Sequence, residues 1–384
     1  MLRLVADLLQ EEYPEAPHLE QLQALGLADL GQLLTNPLVV GVHRKEEAGM
    51  VLVLDASYQR LSPLQKEILQ AVAVLRGAFS EQAAQVCTQG GADAGEIRQA
   101  LRGLTRRSFL QRVTQPVGYR FQAVVQEYVR LQINNLAKRH GQAIDYYRSI
   151  ALPSSDWKEI EDTRYLLEIA HHQFECQHYG AVNEMLAVCD RFLNLRGAYS
   201  LLFEWNQRLI ESWQPQDSEG EDYSWALNRL GNVADSLGQA REAIEYYKQS
   251  LQIFREIGDR KGEANSLGSL GNAVNSLGQY PEAIAYHEQA LQIFREIGDQ
   301  RGVANAYFNL GNTLAKVDRV PDAQAAYRNA RQLYADMELE ARVQDCDNTI
   351  QRLSAAPEPP RPQTQNPFVR LWQWFKKLVR AVLS

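Results

Sequence analysis

The chain of 384 residues is 45% hydrophobic and 23% charged, and its formal net charge is −7. This composition is typical of a globular protein and leaves no overall positive field that would hold nucleic acid. The four cysteines form no CxxC pair, which favours reduced thiols in a cytoplasmic protein over a disulfide framework or a zinc site.

The first residues, MLRLVADLLQEEYPEA, lack the long apolar core of a signal peptide. No uncharged apolar run in the chain reaches the roughly 18 residues that a membrane-spanning helix needs. We therefore expect a cytoplasmic protein without a spanning helix.

Residues 50–135 are predicted to form three helices followed by two short strands. Ser62 and Pro63 are a typical helix start, because serine caps the free N–H groups and proline fits the first turn. The predicted elements cover 62–80, 81–87, 95–108, 109–114 and 118–124. Three helices and a two-stranded wing predict a winged-helix domain.

Arginines line the third of these helices. Arg98, Arg102 and Arg106 recur every four residues and therefore share one helix face, and Arg107 and Arg112 follow. In DNA-binding winged helices the equivalent helix enters the major groove. A solvated charged face or a surface between domains explains the arginines equally well, and the negative net charge favours these alternatives, so nucleic acid is not the expected partner.

Three segments resemble STAND-type (NB-ARC) ATPases. LGQLLTNPLVVGV (30–42) is similar to the NPL motif of their small helical domain. DASYQRLSPLQKEILQAVAVLRGAFS (55–80) and GYRFQAVVQEYVRLQI (118–133) are similar to their winged-helix domain. The resemblance implies a helical remnant over 1–49 and a winged-helix domain over 50–135.

The chain departs from this family at the residues that handle the nucleotide. It contains no GxxxxGK[ST] loop to cradle a triphosphate, so we expect the nucleotide-binding core to be absent. Gln122 and Ala123 stand where the family has a nucleotide-sensing histidine and an aspartate, and Pro37 alone matches a position near the adenine. The expectation is a protein that is not an enzyme, with no catalytic residue and no cofactor.

Residues 136–215 are predicted to form degenerate helical hairpins. The sequence HHQFECQH places His171, His172, Cys176 and His178 close together, with His172 and Cys176 one helical turn apart. Such a pair can share a metal, but no fourth ligand is evident, so packed or surface histidines are the preferred interpretation and no metal site is predicted.

A segment beginning LGN repeats at a spacing of 40 residues, over 230–265, 270–305 and 310–337. Each copy has two blocks of apolar residues at helical spacing, which predicts stacked helical hairpins. These residues resemble the tetratricopeptide repeat. The resemblance implies an array over 222–353, including a capping helix at 338–353. The predicted fold class is mainly α, with a small winged-helix domain followed by a tetratricopeptide-type α-solenoid.

In that family, one face of each first helix lines a groove that binds a protein or peptide. Asparagine offers both a donor and an acceptor, so a ladder of asparagines can read an extended peptide backbone. Alternatively, Asn232, Asn272 and Asn312 occupy a position that is often asparagine in any such repeat. Carried over by position, the groove residues are Trp225, Asn228, Asn232, Asp235, Asn265, Asn272, Asn275, Asn305, Phe308, Asn312 and Lys316.

The C-terminal tail has a different character. Residues 354–366 are proline-rich and predict an extended linker, and 367–384 predict a basic amphipathic helix with four cations and no anion. This pattern favours an anionic membrane surface, while docking onto the array or into a partner groove remains the alternative. The predicted membrane-binding residues are Phe368, Arg370, Leu371, Trp372, Trp374, Phe375, Lys376, Lys377 and Arg380.

The sequence favours a non-enzymatic adaptor that binds a protein or peptide in its repeat groove and is held peripherally at a membrane. One alternative is the regulatory half of a split or degenerate STAND ATPase, which would act with a P-loop ATPase supplied by another chain. A weaker alternative is a DNA-binding regulator that uses the arginine stripe.

Overall fold

The computed structural model describes residues 54–88 and 91–354, and these residues are mostly α-helical. The predicted helical remnant at 1–49 and the basic helix at 367–384 lie outside them. Among the helices of the described residues, none combines the length and apolarity needed to cross a bilayer. The chain divides into two compact units between Ala198 and Tyr199, which falls inside the segment predicted as degenerate hairpins.

Within the described residues, the first unit begins with helical residues 54–59. Three helices and a β-hairpin follow, as the sequence predicts for this region, and the unit continues in helices. Short 3₁₀ helices lie at Ser154–Asp156 and Ile160–Thr163. The elements are α1 Pro63–Val72, α2 Glu81–Cys87, α3 Ala94–Arg106, β1 Leu110–Thr114, β2 Val117–Phe121, α4 Ala123–Leu131, α5 Leu136–Ile150, α6 Arg164–Glu175 and α7 Tyr179–Leu195.

Helix α1 starts where predicted and ends earlier. The Ser62 side chain and Gln65 form a capping box at its first turn. The predicted helix over 62–80 is too long: the observed helix ends at Val72, and Ala73 is its C-cap. Side chains of α4 bond the carbonyls at this end: Gln126 Nε2 donates to the carbonyls of Ala73 (2.8 Å) and Leu75 (2.9 Å).

The strands β1 and β2 are antiparallel, with Leu110 paired to Phe121 and Thr114 to Val117. The predicted second strand, 118–124, ends earlier because Gln122 is the N-cap of α4. Phe79 forms an isolated antiparallel bridge to β2: its backbone exchanges two hydrogen bonds of 2.8 Å with Tyr119. This contact requires glycine at the position before Tyr119, because a Cβ on Gly118 would lie 2.3 Å from the Phe79 carbonyl oxygen.

Two ion pairs join the later helices of the first unit to its beginning. The Arg139 guanidinium on α5 binds both carboxylate oxygens of Glu67 on α1, at 2.6 and 2.8 Å. Arg76 binds both carboxylate oxygens of Glu168 on α6, at 2.9 and 3.0 Å. Such two-point guanidinium–carboxylate pairs fix orientation as well as distance. A hydrophobic core cluster of this unit extends from Leu54 to Ile169.

The second unit is a succession of antiparallel helices, as the 40-residue period predicts. A 3₁₀ helix lies at Asp217–Glu219. The helices are α8 Tyr199–Ser212, α9 Gly220–Ser236, α10 Ala240–Ile257, α11 Arg260–Ser276, α12 Tyr280–Glu296, α13 Gln300–Lys316, α14 Val320–Asp336 and α15 Glu340–Ser354. The three repeats correspond to the hairpins α9–α10, α11–α12 and α13–α14, and α15 follows as the last helix among the described residues.

In each repeat, a ring from the second helix lies against a glycine in the first. An added Cβ would lie 2.6 Å from the Tyr247 ring at Gly231 and 2.5 Å from the His287 ring at Gly271. At Gly311 it would lie 3.0 Å from the ring of the equivalent tyrosine. Glycine in a helix interior costs about 1 kcal/mol relative to alanine, and this close packing explains why it is present.

Two glycines of α11 provide a direct test of this packing. Gly271 faces the His287 ring, whereas a Cβ on Gly268 would meet nothing within 4 Å. We predict that Gly271→Ala lowers the free energy of unfolding by about 1–3 kcal/mol through overpacking. Gly268→Ala on the same helix is the matched control and should raise it by about 0.5–1 kcal/mol through helix propensity. Urea unfolding measures both, and equal effects of the two substitutions would contradict the packing argument.

Candidate functional site

The groove residues predicted from the sequence lie on the first helices of the three repeats, α9, α11 and α13. We call the surface that they outline the first-helix face. Asn232 and Asn272 are exposed, and Asn312 is half-buried. These three asparagines occupy the same position in successive repeats, one residue after the glycine that contacts the ring.

In the first and third repeats the asparagine is bonded within the protein. The Tyr247 hydroxyl donates to Asn232 Oδ1 at 2.8 Å, and the Tyr327 hydroxyl donates to Asn312 Oδ1 at 2.8 Å. Burial raises the pKa of Tyr247 and raises the pKa of Tyr327 to about 12, so both phenols remain protonated donors at neutral pH. Each bond uses one of the two lone pairs of the asparagine oxygen and leaves the amide N–H groups available.

The middle repeat differs because His287 stands at the tyrosine position. The His287 ring is fully buried, and neither of its nitrogens has a hydrogen-bond partner within the described part of the chain. Burial lowers the pKa of His287 to about 4, so the ring is neutral at physiological pH. The side chain of Asn272 likewise forms no hydrogen bond to any described residue.

Asn228 does not lie where the spacing predicted. Its side chain is 5% exposed, and its amide donates to Ser266 Oγ at 3.0 Å, across the helix packing between the first two repeats. A buried amide is stable only when bonded in this way, so Asn228 is a packing residue that a groove ligand does not reach. Its spacing of four residues from Asn232 assigned Asn228 to the predicted face, but its side chain is directed into the protein, where it bonds Ser266.

The remaining predicted groove residues are in mixed environments. Asn265 Nδ2 donates to the carbonyl of Lys261 at 2.9 Å on its own helix, and Asn305 Oδ1 accepts from the Tyr334 hydroxyl at 2.7 Å. Asn275 has a buried Oδ1 without a partner among the described residues.

The aromatic and charged members flank these asparagines. Trp225 packs edge-on against Phe254 at 5.0 Å, and Phe308 packs against the Tyr327 ring at 5.5 Å. Burial raises the pKa of Asp235, and Lys316 is exposed at the far end of α13.

The arginine stripe of the first unit lines an open pocket between α3 and the β-hairpin. The Arg98 guanidinium is paired with Glu81 at 3.0 Å, and the Tyr119 hydroxyl donates to the same carboxylate at 3.3 Å. Arg102 and Arg112 form no ion pair or hydrogen bond with the described residues. The pocket has a volume of about 940 Å³ and is lined by Glu81, Gly95, Arg98, Gln99, Arg102, Thr105, Arg106, Arg112 and Tyr119.

The histidine cluster on α6 has a partner that the sequence did not indicate. His172 is fully buried, and its Nδ1 lies 2.8 Å from Nδ1 of His140, which stands 32 residues earlier on α5. Burial is the main reason that the pKa of His172 falls to about 3. Among residues 54–88 and 91–354, no group of three or more histidine, cysteine or acidic side chains is arranged to hold a metal ion.

Comparison with known families identifies the repeats. Residues 226–256 and 257–336 match models of the tetratricopeptide repeat. These stretches therefore contain tetratricopeptide repeats, which are typically non-catalytic modules that bind proteins. No curated protein matches the chain.

A comparison with solved structures finds two chains that are similar over part of this chain. BtubC (BKLC) from P. vanneervenii has a TM-score of 0.38 and 17% identity, with 59% of this chain and 97% of that chain covered. The apo form of RapI has a TM-score of 0.40 and 13% identity, with 59% of this chain and 73% of that chain covered. Both TM-scores are below 0.5, so neither similarity supports a functional argument.

His287 leads us to predict that the stability of the fold depends on pH. The pKa of His287 is about 4 in the folded chain and about 6.5 when unfolded. As the pH falls, the unfolded chain therefore binds a proton at a higher pH than the folded chain does. The stability of the folded state falls as the pH drops from 6.5 towards 4. We expect His287→Tyr to add a hydroxyl bond to Asn272 and to stabilise the fold by about 1 kcal/mol at pH 7.5.

At pH 5 the advantage of His287→Tyr should grow by about 2 kcal/mol, because tyrosine has no proton to gain there. Urea unfolding of both chains at the two pH values measures this difference. The other buried histidines are common to the two chains and cancel. An advantage that is the same at pH 7.5 and pH 5 would show that His287 is not the acid-sensitive group.

Proposed function

We propose that the chain is a non-enzymatic scaffold that binds a partner polypeptide on the first-helix face of its tetratricopeptide repeats. The observation that carries this proposal is the recurrence of Asn232, Asn272 and Asn312 at one position of three stacked repeats. Their amide N–H groups make no hydrogen bond with the described residues. Donors spaced in this way suit the carbonyl groups of an extended peptide.

A photo-reactive amino acid can test which surface meets the partner. Ser276 is exposed one turn beyond Asn272, and Lys248 is exposed on the second helix of the first repeat. With the probe at Ser276, we expect a discrete cross-linked polypeptide in host cells, lost when Asn232, Asn272 and Asn312 are all changed to alanine. The same probe at Lys248 is the matched control. An adduct of the same size from Lys248, or none from Ser276, would contradict binding on this face.

We further propose that 367–384 attaches the protein to an anionic membrane surface, as a cytoplasmic protein with peripheral attachment. The support is the sequence pattern alone: four cations and no anion, with two tryptophans and two phenylalanines. Each Lys or Arg near an anionic surface contributes about 1 kcal/mol.

Co-sedimentation with anionic liposomes tests the attachment. The full chain should pellet with the vesicles, and a chain ending at Leu353 should stay in the supernatant. Changing Arg370, Lys376, Lys377 and Arg380 to glutamine keeps the aromatic residues and should reduce pelleting at low salt, because the electrostatic share is lost. Equal pelleting of the full and shortened chains, or of neither, would refute the membrane role.

A second candidate function is that of a regulatory half that docks onto a P-loop ATPase supplied by another chain. The order of three helices and a hairpin in the first unit, with a backbone bridge from Phe79 to Tyr119 of the hairpin, supports a winged-helix domain there. The pairing of Arg98 with Glu81 neutralises one arginine of the stripe, which favours a protein-facing surface over a DNA-binding one.

A further inference from the structure

The middle repeat departs from its neighbours at a single buried position. Tyr247, His287 and Tyr327 stand 40 residues apart and each lies against the glycine of its own first helix. The two tyrosines end in a hydroxyl that reaches the asparagine on the surface. The imidazole ring has no such extension, and both nitrogens of His287 remain without a partner among the described residues.

This difference changes what the surface asparagine can do. Asn232 and Asn312 have their oxygens bound to a phenol, which also fixes the orientation of each amide. Asn272 is exposed and keeps its oxygen and both amide hydrogens unused by the described residues. A free primary amide presents an acceptor beside a donor, which matches the N–H and C=O groups of a peptide backbone.

The surface next to Asn272 is also open. Gly268 lies one turn earlier on α11, and a Cβ there would meet nothing within 4 Å. The equivalent residue is Asn228 in the first repeat, which is turned into the core, and Phe308 in the third, which covers the Tyr327 ring. A helix surface without a side chain lets another backbone approach closely.

We infer that the middle repeat is the peptide-reading subsite of the array. An extended segment of the partner lies with its backbone over Gly268 and forms hydrogen bonds from its peptide groups to Asn272, while Asn232 and Asn312 contribute less. His287 is a positioning residue, because it leaves Asn272 without a bond to the part of the chain that the structure describes. This inference rests on the proposed function and narrows it to one repeat.

The side-chain amide resonances of the asparagines report on this directly. The probe is N-acetyl-triglycine amide, which has peptide groups and no side chains, titrated into the full chain labelled with ¹⁵N at asparagine. Single asparagine-to-serine variants assign the three resonances. We expect the Asn272 amide to shift in a saturable manner, with smaller shifts at Asn232 and Asn312.

Two variants separate the steric and hydrogen-bonding parts. Gly268→Leu adds an apolar side chain to this surface, and its Cβ has no neighbour within 4 Å. Urea unfolding of this variant checks that the fold is kept. His287→Tyr engages Asn272 as in the outer repeats. Each should weaken peptide binding about fivefold or more, equivalent to about one net hydrogen bond. His287→Tyr should do so while raising stability, an outcome that a purely structural role for His287 would not give.

The outcomes distinguish this inference from the broader proposal. Equal shifts at Asn232, Asn272 and Asn312 would overturn the special role of the middle repeat and leave binding on the first-helix face intact. Unchanged binding by both variants would also overturn it. No shift at any of the three would reject backbone reading on this face, and the cross-linking from Ser276 would then decide separately whether a partner binds there at all.

Discussion

The array depends on the contact between a ring of one helix and the bare backbone of its hairpin partner. A glycine at the crossing lets the Tyr247, His287 or Tyr327 ring lie against the helix, and the ring fills the space that a side chain would otherwise occupy. Protein interiors are packed as densely as organic crystals, so such a contact fixes the separation and register of the two helices. The next repeat then packs on a surface of defined shape.

The same contact links the core to the surface. A phenol placed against Gly231 or Gly311 has its polar end at the edge of the helix, where the next residue is asparagine. The buried ring thereby determines whether the surface amide is bonded internally. In the middle repeat the His287 ring is fully buried and the Asn272 side chain bonds to none of the described residues, so one core residue alters the chemistry of the exposed face.

Periodicity was sufficient to predict the hairpins of the second unit, because each copy repeats both apolar faces and the glycine at their crossing. It was not sufficient to orient individual side chains. Spacing assigns Asn228 and Asn232 to one face, yet Ser266 on the neighbouring helix holds Asn228 inside. The role of His287 could not be predicted from spacing alone. It depends on the register between the two helices of a repeat, which brings the equivalent tyrosines, Tyr247 and Tyr327, to the asparagines that they bond.

The first unit shows the same limit in contacts between residues distant in the chain. Apolar spacing continues past Val72, but α1 ends there. Just beyond this end, Gln126, more than fifty residues later in the chain, donates to the carbonyls of Ala73 and Leu75. The pairing of His140 with His172 could not be predicted either, because the motif HHQFECQH gives no information about contacts with α5. Local patterns predict elements; the ends of elements and the partners of buried polar groups depend on tertiary packing.

The tyrosine and histidine codons differ by a single base. In an array that grows by duplication, each new repeat inherits the glycine, the ring and the asparagine together. One point mutation at the ring then converts a repeat with an internally bonded asparagine into one with a free asparagine, while the helix contact at the glycine is kept. Selection can therefore vary which copy exposes a free amide without redesigning the scaffold.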